Sequence, residues 1–171
     1  ASTTKILTAL VVAETLPLDL EVTVPAVAAG VEGSSVYLRA GEKLTVEELL
    51  YGLILRSGND AAVALAVAAG GSVPHFAAMM NERAAACGAE RSHFVNPHGL
   101  HDDEHYTTAR DLALITAEAY RNADLRRIFS TRSVTVGEGE SRRYFANKNK
   151  LLGTFEGANG VKTGYTTKSG R

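Results

Sequence analysis

Two apolar helical segments separated by a short polar stretch are the strongest constraint on how this 171-residue chain can fold. The segment over residues 45–55 opens with a capping-box pattern, and the segment over residues 60–69 is almost entirely apolar. Both segments are therefore expected to be largely buried. The intervening Ser57-Gly58-Asn59 must face solvent or line a cleft, because buried polar groups without partners are costly.

The rest of the chain predicts more helix than strand. Apolar spacing and capping residues indicate further helices over residues 2–16, 74–87 and from residue 108 to about residue 120. Short strands are predicted at residues 21–24 and 35–38, a hairpin from residues 133–136 and 143–145, and a final strand at residues 161–167. We therefore expect an α+β domain that is mostly helical, with few short strands.

Composition excludes several classes of protein. Hydrophobic residues make up 45% and charged residues 22% of the chain, as in ordinary soluble domains. The net charge of −1 gives no indication of a nucleic-acid partner. No apolar run approaches the length of a membrane span.

Three short motifs follow one another along the chain: Ser2-Thr3-Thr4-Lys5, Ser57-Gly58-Asn59 and Lys162-Thr163-Gly164. They fit the patterns S-x-x-K, S-x-N and K-T-G, a set typical of serine acyl-transfer enzymes that react with penicillin. The first two patterns are common by chance and K-T-G is rarer. All three in this order, each in a suitable local context, indicate a catalytic serine.

The spacing within the motifs suits this chemistry. Residues three apart share a face of a helix, so Lys5 can reach the hydroxyl of Ser2. A lysine acts as a base only when burial or a nearby cation lowers its pKa, and Lys162 could supply that cation. In the third motif, Gly164 would allow the backbone of a substrate to approach closely.

The chain resembles the low-molecular-mass penicillin-binding proteins of the D-alanyl-D-alanine carboxypeptidase type, the S11 serine peptidases. The similarity lies in residues 1–10, 53–62, 94–100, 107–113, 147–152 and 160–166. It implies a β-lactamase/transpeptidase-like core. Because members of the family have sheet strands before the first motif and after the third, residues 1–171 are expected to be a single, partial catalytic domain without those strands.

The resemblance also implies a role for each motif residue. Ser2 would attack the D-Ala-D-Ala bond, Lys5 would accept its proton, and Ser57 would relay a proton to the leaving D-Ala. The expected substrate-binding residues are Asn59, Lys162, Thr163, Gly164 and Tyr165, with the backbone N–H groups of Ser2 and Tyr165 as an oxyanion hole. No cofactor and no metal are expected.

The same resemblance implies partners and a location. The expected partners are the peptidoglycan stem peptide, as substrate, and β-lactam antibiotics, as inhibitors that acylate Ser2. Such an enzyme would act outside the cytoplasm, and membrane anchoring would have to come from segments not in this chain.

Three alternatives remain open at this point. A class A-like β-lactamase should carry a glutamate-bearing loop for deacylation, which the acidic residues 102–104 do not resemble. A non-catalytic penicillin-binding domain would keep the motifs without an assembled site. A metal-binding domain could use His98, His101 and His105, although they occur in a charged loop without an H-E-x-x-H pattern.

Overall fold

The computed structural model describes residues 1–170, which form six α-helices, four short strands and three single-turn 3-10 helices. The helices are α1 (Lys5–Thr15), α2 (Val46–Leu55), α3 (Asn59–Gly70), α4 (Val73–Ala86), α5 (Ala109–Arg121) and α6 (Ala123–Ser130). The strands are β1 (Glu21–Thr23), β2 (Lys43–Thr45), β3 (Ser133–Val136) and β4 (Arg143–Ala146).

Local capping explains where several helices begin. Thr45 forms the predicted capping box with Glu48 at the start of α2. The side chains of Ser72, Thr108 and Asn122 accept hydrogen bonds from backbone N–H groups at the starts of α4, α5 and α6. These interactions are local, which is why sequence patterns could predict most of the helices.

Helices α1 and α3 form the centre of the core. The first two turns of α1 are buried, and residues 59–66 of α3 are buried on every side. Alanines at positions 61, 62, 64 and 66 let neighbouring helices approach α3 closely. Helix α1 packs directly on α3, and the side chains of their first residues, Lys5 and Asn59, are hydrogen-bonded to each other.

Two separate antiparallel hairpins make up the sheet structure of the described residues. β1 pairs with β2, with Val22 opposite Leu44, and β3 pairs with β4, with Val134 opposite Phe145. The predicted hairpin around residues 137–139 is therefore confirmed. β2 and α6 are elements that the sequence analysis missed.

Two predicted strands are wrong. Residues 35–38 and 161–167 are extended or irregular, and neither segment belongs to a hydrogen-bonded sheet among the described residues. A strand requires a neighbour, and apolar alternation cannot supply one. The first helix also starts differently from its prediction, because residues Ser2–Thr4 form a 3-10 turn before α1 begins at Lys5.

No single helix within residues 1–170 is long and apolar enough to cross a membrane. Helices α3 and α4 meet such a test of length and composition only as a pair bent by 83°.

Candidate active site

A cleft of about 280 Å³ opens where the three motifs meet. The first motif enters it from the N-terminal turn, the second from the α2–α3 connection and the third from the extended segment after residue 160. Lys5 and Asn59 lie buried beside it and contact one another. Its lining residues are Ser2, Ser34, Ser57, Lys148, Thr163, Gly164 and Tyr165.

Lys5 makes three polar contacts and is fully buried. Its Nζ lies 3.2 Å from Ser2 Oγ, 2.7 Å from Asn59 Oδ1 and 2.7 Å from the carbonyl oxygen of His98. The Asn59 amide nitrogen donates to the carbonyl oxygen of Glu32, 2.6 Å away, which turns its Oδ1 toward Lys5. Asn59 Oδ1 and the carbonyl oxygen of His98 are both hydrogen-bond acceptors, so each takes one N–H hydrogen of Lys5. A neutral Lys5 amine that donates both of its hydrogens in this way keeps its lone pair free to accept the proton of the Ser2 hydroxyl.

Burial and neighbouring charges keep this amine neutral. Desolvation is the largest effect that lowers the pKa of Lys5, followed by the positive charges of Lys162 and Lys148, and together they bring it to about 6. The carboxylate of Asp60 acts in the opposite direction and is outweighed. Near neutral pH most molecules therefore hold Lys5 as a free base next to Ser2.

Ser57 has an unusual conformation for a serine. Its backbone is left-handed, with φ of 63°, a conformation that costs on the order of 1–3 kcal/mol outside glycine. The backbone on either side is held, since Gly58 N donates to Gly52 O and Asn59 N donates to Ser34 O. Its hydroxyl oxygen is buried and, within the described part of the chain, has no hydrogen-bond partner. Ser57 also lines the cleft. The hydroxyl is thus available to a ligand.

The third motif packs tightly against the first. A Cβ atom at Gly164 would lie 3.0 Å from the backbone nitrogen of Thr3, so a larger residue would push this segment away from Ser2. Lys162 donates to the carbonyl oxygen of Thr163 at 2.8 Å, and burial and Lys148 lower its pKa to about 7. Thr163 and Gly164 are exposed toward the cleft.

Sequence reasoning missed several residues that build this site. Asp60 is fully buried and accepts hydrogen bonds from Ser35 Oγ and from the backbone nitrogens of Val36 and Leu38. A single carboxylate in an otherwise apolar helix could have indicated Asp60, because a buried carboxylate requires hydrogen-bond donors around it. The carbonyl oxygen of His98 and the side chains of Ser34 and Lys148 gave no such signal.

The histidine-rich loop supports the first motif and does not assemble a metal site. His105 Nδ1 accepts from the backbone nitrogen of Val95, so its Nε2 carries the proton and donates to Thr4 Oγ1 at 2.8 Å. Burial is the main cause that lowers the pKa values of His98 and His105 to about 4. Within residues 1–170 no three His, Cys, Asp or Glu side chains are grouped to hold a metal ion, which leaves the metal-binding alternative without support there.

The β-lactamase alternative also finds no support at the cleft. The acidic residues 102–104 are exposed, and Asp103 is engaged with His101 at 3.2 Å. None of the three lines the cleft, so none is placed to activate water for deacylation.

Comparison with known proteins gives one consistent family. A family model described as D-alanyl-D-alanine carboxypeptidase, Peptidase S11, matches residues 1–171. The chain is 36% identical to the D-alanyl-D-alanine carboxypeptidase DacF of Bacillus subtilis, an alignment that covers 97% of this chain and 44% of that protein. It is also 36% identical to a D-alanyl-D-alanine carboxypeptidase of a Streptomyces species, over 95% of this chain and 62% of the relative.

Solved structures agree with this result. A penicillin-binding protein homologue of Mycobacterium tuberculosis superposes with a TM-score of 0.93 at 36% identity, covering 98% of this chain and 64% of that one. A mutant of a Streptomyces DD-transpeptidase superposes with a TM-score of 0.88 at 36% identity, over 97% and 71% of the two chains. The predicted fold class, an α+β transpeptidase-like core, is confirmed.

Proposed function

Because the chain belongs to the D-alanyl-D-alanine carboxypeptidase family of serine peptidases, we infer that it removes the terminal D-Ala from peptidoglycan pentapeptides through an acyl-enzyme on Ser2. One observation supports this inference above all others. The buried Lys5 amine lies 3.2 Å from Ser2 Oγ, with its other hydrogen-bonding capacity used by Asn59 and His98. A serine needs such a base to become a nucleophile at neutral pH.

In the first step, Ser2 Oγ attacks the carbonyl carbon of the D-Ala-D-Ala bond while its proton passes to the neutral Nζ of Lys5. The backbone N–H groups of Ser2 and Tyr165 are proposed to stabilise the oxyanion. Ser2 lies in the first turn of its helix, where backbone N–H groups have no helical acceptor. That position favours the negative charge that develops in the transition state.

In the second step, the C–N bond breaks and the leaving nitrogen needs a proton. We assign its delivery to the Ser57 hydroxyl, which lines the cleft and has no partner within the described chain. The proton that Lys5 took from Ser2 then replaces the one that Ser57 gives up, which returns Lys5 to its neutral form. Asn59 is assigned to hold Lys5 and the substrate amide. Water then hydrolyses the ester on Ser2, with Lys5 as base, and releases the shortened peptide.

Substrate binding is assigned to the third motif. The Thr163 hydroxyl would donate a hydrogen bond to the terminal carboxylate of the substrate, and the positive charge of Lys162 would attract that carboxylate. Gly164 would leave room for the substrate backbone. A β-lactam would acylate Ser2 in the same way and be released slowly. The substrate is a cell-wall polymer, so the reaction is placed outside the cytoplasm.

Two measurements test the proposal. Protein incubated with benzylpenicillin is expected to carry one covalent adduct, which peptide mapping by mass spectrometry assigns to Ser2, and Ser2→Ala should carry none. A pentapeptide ending in D-Ala-D-Ala should release D-Ala, with only slow turnover of penicillin. Labelling at another residue, no labelling, or rapid penicillin hydrolysis without D-Ala release would contradict the proposal.

A further inference from the structure

The loop between α4 and α5 supplies one of the two acceptors that hold the Lys5 amine. Lys5 Nζ donates to the carbonyl oxygen of His98 at 2.7 Å. One residue earlier in the loop, the carbonyl oxygen of Pro97 accepts from Thr8 Oγ1 at 2.7 Å. Lys5 and Thr8 are both buried in α1. Two successive carbonyl groups of the loop therefore face buried side chains of α1, and their direction depends on the shape of the loop.

Asn96 gives the loop this shape. Its Oδ1 accepts from the backbone nitrogens of His98 and Gly99, at 3.3 Å and 2.7 Å. Its Nδ2 donates to the carbonyl oxygen of Leu100 at 3.1 Å. An asparagine that bonds to backbone groups two, three and four residues ahead closes a turn without help from a neighbouring strand or helix.

The two nitrogens that Asn96 holds belong to the same peptide units as the two carbonyls that face α1. One unit carries the Pro97 oxygen and the His98 nitrogen, and the next carries the His98 oxygen and the Gly99 nitrogen. Because a trans peptide is planar, its C=O points away from its N–H, so a fixed nitrogen also fixes the direction of the oxygen. Asn96 thus holds both peptide units from the side opposite to α1.

The loop is also anchored at points that do not involve Asn96. The Asn81 side chain of α4 accepts from the backbone nitrogen of Phe94 and donates to its carbonyl oxygen. Gly99, with φ of 83°, packs so closely on the first motif that a Cβ atom would collide with the carbonyl oxygen of Ala1. Loss of the Asn96 side chain is therefore expected to free the two peptide units while the loop as a whole stays in place.

We propose that Asn96 is a positioning residue for acyl transfer, because it fixes the His98 carbonyl toward Lys5. This inference rests on the proposed function, in which Lys5 is the base. A neutral amine has two hydrogens, and its lone pair stays on Ser2 Oγ while Asn59 and His98 accept both of them. Without a fixed His98 carbonyl the amine can rotate, and small errors in the geometry of reacting groups lower reaction rates strongly.

The test separates the chemical step from binding. Acylation of Ser2 is followed by intact-protein mass spectrometry over a range of benzylpenicillin concentrations at about pH 8, where Lys5 is mostly deprotonated. Asn96→Ala should lower the limiting rate constant about tenfold or more. The apparent dissociation constant should stay within about twofold, because Asn96 does not line the cleft. Asn96→Ser keeps a weaker acceptor for the same nitrogens and should lower the rate constant less.

Asn122→Ala is the matched control. Asn122 Oδ1 also accepts from two backbone nitrogens, those of Asp124 and Leu125, but it caps α6 and does not line the cleft. Its replacement should lower the melting temperature and leave the limiting rate constant unchanged.

Three results would overturn the inference while leaving acylation of Ser2 intact. The first is an unchanged limiting rate constant in Asn96→Ala, or in Asn96→Ser if only that variant folds. The second is an equal loss of rate in Asn122→Ala, and the third is a loss confined to the dissociation constant. Absence of Ser2 labelling in the unaltered protein would instead overturn the proposed function and this inference with it.

Discussion

Lys5 and Ser2 illustrate how the surroundings of a common pair of residues can change the properties of its side chains. A lysine and a serine three positions apart occur on many helices, where the lysine is solvated and charged. Here the amine is buried at the junction of α1 and α3 and is surrounded by two acceptors and two other lysines. In the proposed mechanism, its protonation state controls whether Ser2 can react.

The first prediction concerns this protonation state. Acylation of Ser2 by benzylpenicillin should rise with pH along a limb centred near the Lys5 pKa of about 6, because the neutral amine is the reactive form and predominates above that value. The measurement is the acylation rate constant from about pH 4.5 to about pH 10. A rate still rising steeply between about pH 8 and 10 would show that Lys5 keeps the pKa of an ordinary lysine.

The second prediction concerns Lys162. After burial, its charge is the largest cause that lowers the pKa of Lys5. Lys162→Met should therefore raise the pKa of Lys5 and move the ascending limb of the acylation profile to higher pH. Lys168→Met, which removes an exposed lysine from the same end of the chain, should leave the limb in place. A fall in rate at all pH values without movement of the limb would show that Lys162 does not control Lys5.

At the scale of elements, the α2–α3 connection organises one wall of the cleft. Asn59 and Asp60 start α3, and both use their side chains to hold residues 32–38, which lack regular structure. The Asp60 carboxylate accepts hydrogen bonds from the backbone nitrogens of Val36 and Leu38. In a sheet, the carbonyl oxygens of a neighbouring strand would accept these hydrogen bonds. This accounts for a segment with strand-like alternation that forms no sheet.

The third prediction belongs to this connection. Asp60→Asn should lower the free energy of unfolding by about 3 kcal/mol, because a buried amide replaces charge-assisted bonds and turns a donor toward backbone N–H groups. Urea denaturation followed by circular dichroism measures the change. Asp19→Asn removes a charge from an exposed position and should alter stability by less than about 0.5 kcal/mol. Equal stabilities of the two variants would contradict the assigned role of Asp60.

At the scale of the whole molecule, Arg143 ties the C-terminal hairpin to the wall of the cleft. From β4 its guanidinium forms an ion pair with Glu42 and donates to the carbonyl oxygens of Val36 and Tyr37. Burial alone would raise the pKa of Glu42, but hydrogen bonds from Arg143 and from the backbone of Arg39 outweigh it and lower the value. The two hairpins are thus joined through the segment that also carries Ser34.

The fourth prediction tests this link. Arg143→Met should lower the free energy of unfolding by about 3 kcal/mol at neutral pH, because it leaves Glu42 without its partner. Since the folded-state pKa of Glu42 is lowered, the ion pair contributes fully above the unfolded value near 4.5 and less as pH falls through the folded value. The difference between Arg143→Met and the unaltered protein should therefore shrink in acid.

Arg142→Met provides the control for this prediction, because Arg142 is exposed and adjacent. It should change the free energy of unfolding by less than about 0.5 kcal/mol. A loss in Arg143→Met that stays constant from neutral to acidic pH would show that the Glu42 carboxylate is not its source.

The sequence by itself determined most of the helices and the three motifs, because caps, apolar periodicity and the spacing of Ser2 and Lys5 are local properties. It also marked Ser57 and Asn59, since polar residues between two buried helices require partners. Only the tertiary structure decided that residues 35–38 and 161–167 are not strands, and that Asp60, Lys148 and the His98 carbonyl belong to the site. Pairing, burial and electrostatic fields depend on groups far apart in the chain, and the pKa of Lys5 is set by such groups.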